Sequence, residues 1–235
     1  MKYLALRAAV DLCEQAGVDL PLALAVDLCI LEVKTEAYYL RVLSRAVRDL
    51  YNDRITADTF LGEMTRLLDE QIRRAWNEGM RANELDPAQD MTDEWEARIQ
   101  ELIDYEFQFV EGFISDIEAA ARDKTPIDPL LARADLWANR YNEVVNIAKL
   151  ETAEPKDKFE WIYGDTEHCE TCARLNGLVA TAAEWEQSGF KPQQPPNDML
   201  DCGGWRCQCR LEPTDKRRSP KVLDTLLDLA TAGNT

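Results

Sequence analysis

The sequence predicts a mainly α protein: a multi-helix N-terminal region over residues 1–154, a small α+β cysteine-rich module over 155–213, and a linker with a short C-terminal helix over 214–235. Two observations carry this reading. Apolar residues recur at steps of three and four before residue 155, with no alternating strand pattern. Five of the seven cysteines, with Gly177, Gly189, Gly203, Gly204, Pro192, Pro195 and Pro196, gather after it.

The helices follow in order. Residues 3–32 hold two short apolar patterns, in which Cys13 and Cys29 read as small buried hydrophobes. Tyr39, Leu40, Leu43, Val47 and Leu50 mark the next helix. Phe60, Leu61, Met64, Leu67, Leu68, Ile72, Trp76 and Met80 share one helical face, and Thr56 or Asp58 caps its start. A long helix begins at Thr92, with Asp93 and Glu94 in its first turn, where negative charge suits the dipole. Its stripe runs from Trp95 through Ile99, Leu102 and Ile103 to Val110, Phe113, Ile114 and Ile117; Tyr105, Phe107 and Phe109 widen the apolar surface. Asp128-Pro129 opens a further helix, with Leu130, Ala134, Trp137, Tyr141, Val144, Val145 and Ala148 as its buried line. Ser219-Pro220 caps the last one, with Leu223, Leu226, Leu227 and Ala230 on one side.

Charge narrows the function classes. The chain carries 44 acidic and 27 basic residues, a formal net charge of −17. Residues 1–154 hold 31 of the acids and 17 of the bases, so the acidity belongs to the helices. A surface of that sign does not coat nucleic acid, which needs Lys and Arg against phosphate. The most apolar stretch, Leu20 to Val33, is broken by Asp27 and Glu32 and falls short of the ~20 residues of a membrane span. The N-terminal residues meet acid too early for a secretory signal.

The chemistry lies in the cysteines. Cys169 and Cys172 stand at Cys-x2-Cys spacing, so one tight turn aims both sulfurs at a single ion. After 29 intervening residues comes Cys202-Gly-Gly-Trp-Arg-Cys207-Gln-Cys209, where two glycines allow the bend that brings Cys202 to Cys207. Two close-spaced groups suit a structural zinc ion, which takes four thiolate or imidazole ligands. The chosen ligands are Cys169, Cys172, Cys202 and Cys207, with Cys209 as the rival of Cys207, because alternate residues of an extended segment point opposite ways. His168 reads as a surface or capping residue. An odd cysteine count argues against a disulfide framework. Trp161, Tyr163, Trp185, Phe190 and Trp205 surround the site, Leu175 to Val179 reads as a hairpin turning at Asn176-Gly177, and residues 192–196 read as an extended loop.

These strings carry a resemblance. Cys-x2-Cys, Leu-Asn-Gly, a proline-rich loop and the CGGWRCQC of residues 202–209 are similar to the C-terminal domain of the Mu F-like family of phage minor head proteins. Residues 130–148, LLARADLWANRYNEVVNIA, resemble the helix before that domain. The likeness covers about residues 130–213; over 1–129 it is one of helical character. Many relatives have His-Pro-x-Cys-Arg-Cys at the second group; here Cys202 stands for the histidine and Gln208 for the arginine. The resemblance implies a virion component in the head interior or at the portal vertex, assembled in the bacterial cytoplasm. It implies oligomeric contacts with portal or major capsid protein, and no reaction.

Enzyme chemistry finds no site in the sequence. Four or five sulfurs close an ion off, whereas a catalytic zinc keeps a position open for water. A zinc deaminase needs His-x-Glu and Pro-Cys-x-x-Cys; His168-Cys169-Glu170 supplies only the first half. The alternative reading is a zinc-ribbon DNA-binding accessory protein, using Lys216, Arg217 and Arg218, with Arg206 and Arg210, against packaged DNA.

Overall fold

The apolar periodicities become helices wrapped around one central helix. The computed structural model describes residues 36–164, 167–205 and 207–232; the patterns at 3–32, Cys13, Cys29 and Arg206 lie outside them. Helix α1 is Glu36–Tyr51 and α2 is Ala57–Ala82, the latter capped by Thr56, whose side chain accepts from Thr59 N. A one-turn α3, Pro87–Asp90, follows its own Asp86 cap. Helix α4, Asp93–Phe107, starts at Thr92 as expected, with Thr92 accepting from Trp95 N.

The helix expected to run unbroken from Thr92 through Ile117 is two helices. The second, α5, is Val110–Asp123. The break lies at Gln108 and Phe109, where Gln108 Nε2 donates to the Tyr105 carbonyl and Phe109 N reaches back only to Glu106. Both residues keep right-handed helical angles, so the apolar phase continues across the break and the periodicity does not reveal it. Tyr105 and Phe109 are left about half exposed, edge to face with each other.

Helix α6, Asp128–Glu151, is the centre. Its expected line is buried, and so are Asn139, Glu143, Asn146, Ile147, Lys149 and Leu150 on its other sides. A helix buried all round is one that neighbours cover on more than one face. Helices α1 and α2 pack on it, and α2 comes close at Gly79, where an added Cβ would lie 2.4 Å from Ala148 Cβ. Gln71 Nε2 donates to the Trp137 and Ala138 carbonyls, and Arg140 pairs with Glu106 and Glu143 beneath Tyr105.

The rest of the chain forms a small α+β unit. Strands β1, Lys158–Ile162, β2, Val179–Thr181, and β3, Arg210–Pro213, make an antiparallel sheet in the order β2-β1-β3. Helices α7, Glu170–Leu175, α8, Ala182–Ser188, and α9, Val222–Ala232, cover it. One core runs from Tyr39 to Ala148 and a second from Leu150 to Leu229, so the change of core falls inside α6.

Three sequence expectations change here. Asn176-Gly177 is not a hairpin turn; it joins α7 to β2, with Asn176 Oδ1 accepting from Tyr163 N and Gly177 N donating to Trp161 O. The Asn-Gly signal asks only for a tight turn, and a helix end uses it as readily as a strand pair. The loop at 192–196 is not extended; it turns at Gln193, buried at φ 59°, whose side-chain oxygen accepts from Asn146 Nδ2. Helix α9 buries Val222, Leu226 and Leu229 and exposes Leu223 and Leu227, a face rotated from the expected one because it packs on α8.

Candidate metal centre

Five thiols converge at the end of this sheet. Cys169 sits just before α7 and its Sγ accepts from Cys172 N at 3.4 Å, so the first helical turn sets both sulfurs side by side. The second group arrives through a bend at Gly203 and Gly204, both at positive φ (61° and 79°), where a side chain is strained. The two arms are tied together by Thr171 and Asp201: Thr171 N donates to Asp201 Oδ2 at 2.8 Å, and Asp201 N to Thr171 Oγ1 at 3.3 Å.

The sulfurs form two overlapping triads. Cys169, Cys172 and Cys202 lie within 4.8 Å of one another, and so do Cys172, Cys207 and Cys209. Cys172 belongs to both. The sequence set Cys207 against Cys209 as alternatives on opposite sides of an extended segment. The structure brings both to Cys172, because residues 207–209 precede β3 and are not part of a strand. Gly164 makes room: a Cβ there would lie 2.3 Å from both Cβ and O of Gln208.

The thiols share protons unevenly. Contacts with Cys172 first, then Cys207, hold Cys202 and Cys209 far below the usual thiol range. Contacts with Cys202, Cys207 and Cys209, with burial, push Cys172 up. Cys207 is lowered by Cys172 but raised by more through Cys202, Cys209 and burial. The pattern is that of sulfurs too close to ionise together without a cation; a metal reverses it and takes them as thiolates. All five are free thiols, and Cys172, Cys207 and Cys209 are buried. The cluster can hold a metal ion.

His168, read from the sequence as a surface residue, stands at the cluster. Its Nδ1 is 3.8 Å from Cys209 Sγ, and its ring stacks on Tyr163 at 3.7 Å and 9°. Adjacency to Cys169 hid this, since the contact is to a residue 41 positions away. Trp161, Trp185 and Phe190 form the core behind the sulfurs; Trp205 is 50% exposed and does not enclose them.

The basic cluster is largely engaged. Lys216 Nζ bonds Glu160 at 2.7 Å, and Arg218 Nε bonds Glu184 at 2.9 Å. Among the described residues no helix is long and apolar enough to cross a membrane.

No family model, no curated protein and no solved structure matches the chain.

Proposed function

We propose that this chain is a structural minor head protein of a phage, acting in head morphogenesis near the portal, with zinc fastening its C-terminal module. The observation that carries the reading is the convergence of Cys169, Cys172, Cys202, Cys207 and Cys209 within the stretch that resembles such proteins. A thiolate-rich set suits a structural ion, whose binding would add folding energy to that of the unit's own core. Cys172 with partners from both arms would grip the ion; α7 and the Gly203-Gly204 bend orient them, and Trp161, Trp185 and Phe190 exclude water behind them. The role is one of contact and assembly, without turnover.

The DNA-binding alternative is less favoured, because Lys216 and Arg218 are spent on Glu160 and Glu184. The deciding experiment isolates heads from cells producing the full chain. The chain is expected in purified heads together with portal protein, with zinc bound. Heads without it, or salt-dependent DNA affinity that charge reversal at 216–218 abolishes, would overturn the proposal.

A further inference from the structure

We infer that the sulfur cluster holds two thiophilic divalent cations, bridged by the Cys172 thiolate. The inference rests on the metal-binding reading above and adds a second position to it. Its basis is the way the donors are grouped. Five thiols exceed the four ligands of one tetrahedral ion. They fall into two triads that have only Cys172 in common.

Ligand atoms around one zinc, each ~2.0–2.3 Å from it, stand roughly 3.3–3.8 Å apart in a tetrahedron. The sulfurs of each triad, all within 4.8 Å of one another, need only a small closing movement to reach that spacing; His168 Nδ1 is 3.8 Å from Cys209 Sγ and belongs to neither triad. The second cation thus takes Cys172, Cys207 and Cys209, with water as its fourth ligand. The first takes Cys169, Cys172 and Cys202, with water as its fourth ligand.

Charge favours the same answer. Four thiolates on one dication, with the fifth sulfur left a neutral thiol, leave two negative charges unbalanced in a site where three of the sulfurs are buried. A second dication, with all five ionised, leaves only one. The central, most connected thiol is also among the least accessible, as a bridging ligand must be.

The test is zinc stoichiometry of the full chain, fully reduced, by native mass spectrometry with zinc in slight excess. Two zinc ions per chain are expected. In the cadmium-113 form, two resonances should both couple to the Cys172 β-protons. Cys209→Ser should leave one ion, and so should Cys202→Ser. One zinc per folded chain overturns the second position and leaves the single-ion reading standing; none overturns both. Two cadmium signals without shared coupling to Cys172 would overturn the bridge.

Discussion

Lys149 Nζ, on the central helix, donates to the Leu211 carbonyl on β3 at 2.8 Å. The lysine is 5% exposed, and Glu212 is its ion-pair partner at 3.3 Å. Beside it, Leu211 N donates to Asn146 Oδ1 at 3.1 Å. Both backbone groups of one strand residue are therefore satisfied by side chains of α6. Lys149→Met keeps the length of the side chain and leaves the carbonyl without a donor. The expected loss is about 1–3 kcal/mol of stability in denaturant unfolding. An unchanged midpoint would show that the clamp contributes nothing.

Removing metal should divide the molecule along its two cores. With a strong chelator and reductant, the unit around Trp161 and Trp185 is expected to loosen, while the helical core from Tyr39 to Ala148 persists. Far-UV dichroism should keep most of its helical signal as tryptophan emission shifts to the red. Cys169→Ala and Cys172→Ala should do the same at equal chelator, with Cys172→Ala the more severe because it serves both triads. Metal content unchanged in these variants would refute their assignment as ligands.

Gly164→Ala tests the approach of the last cysteines from outside the ligand set. The new methyl would meet Gln208 backbone atoms at 2.3–2.5 Å, which cannot swing aside as a side chain does. The Gly164 N–H also helps hold Cys209 in its low range. Zinc affinity is expected to fall by roughly 10–100-fold, as for other supports of a ligand. Competition titration against a zinc chelator reads it.

Gly79→Ala sets propensity against packing. Alanine favours a helix over glycine by about 1 kcal/mol, yet its methyl would sit 2.4 Å from Ala148 Cβ and 2.8 Å from Val145 O. Overpacking at such a site costs about 1–3 kcal/mol, so packing wins and thermal stability falls. Gly62, with open space around it, is the control: Gly62→Ala should stabilise.

Glu143 makes the helical core sensitive to pH. Burial raises its carboxyl to about 7, with Arg140 opposing. Its folded value lies above the unfolded one, so the folded state holds the extra proton between about pH 4.5 and 7. The stability it contributes is complete below about 4.5 and is lost as pH rises through 7. Across that window wild type should lose on the order of 3 kcal/mol relative to Glu143→Gln. Parallel pH profiles of the two proteins would contradict it.

Much of this architecture is legible in the residues, and the gaps have physical causes. The stripe from Phe60 to Met80, the caps at Thr56 and Thr92, and the bend at Gly203-Gly204 are local signals, and each lies where the residues point. The break at Gln108 is set by one side-chain bond to the Tyr105 carbonyl, which periodicity does not register. The face of α9 depends on what it meets, and Leu223 is no less apolar than Leu226. The trio of Glu106, Arg140 and Glu143 was silent because charges 34 and 3 positions apart declare nothing until the helices pack. For the site, cysteine spacing announces a cluster, while the shared position of Cys172 and the arrival of His168 are tertiary facts.

The passage of α6 from one core to the other bears on how the chain divides. A fragment begun at Pro155 would lack the Leu150 side chain that walls its own interior, and the two residues, Asn146 and Lys149, that grip β3. A fragment ended at Glu154 would carry those same groups with nothing to receive them. The seam in composition is thus not a place to cut: either piece should be produced with residues 128–154 attached, and no single break serves both.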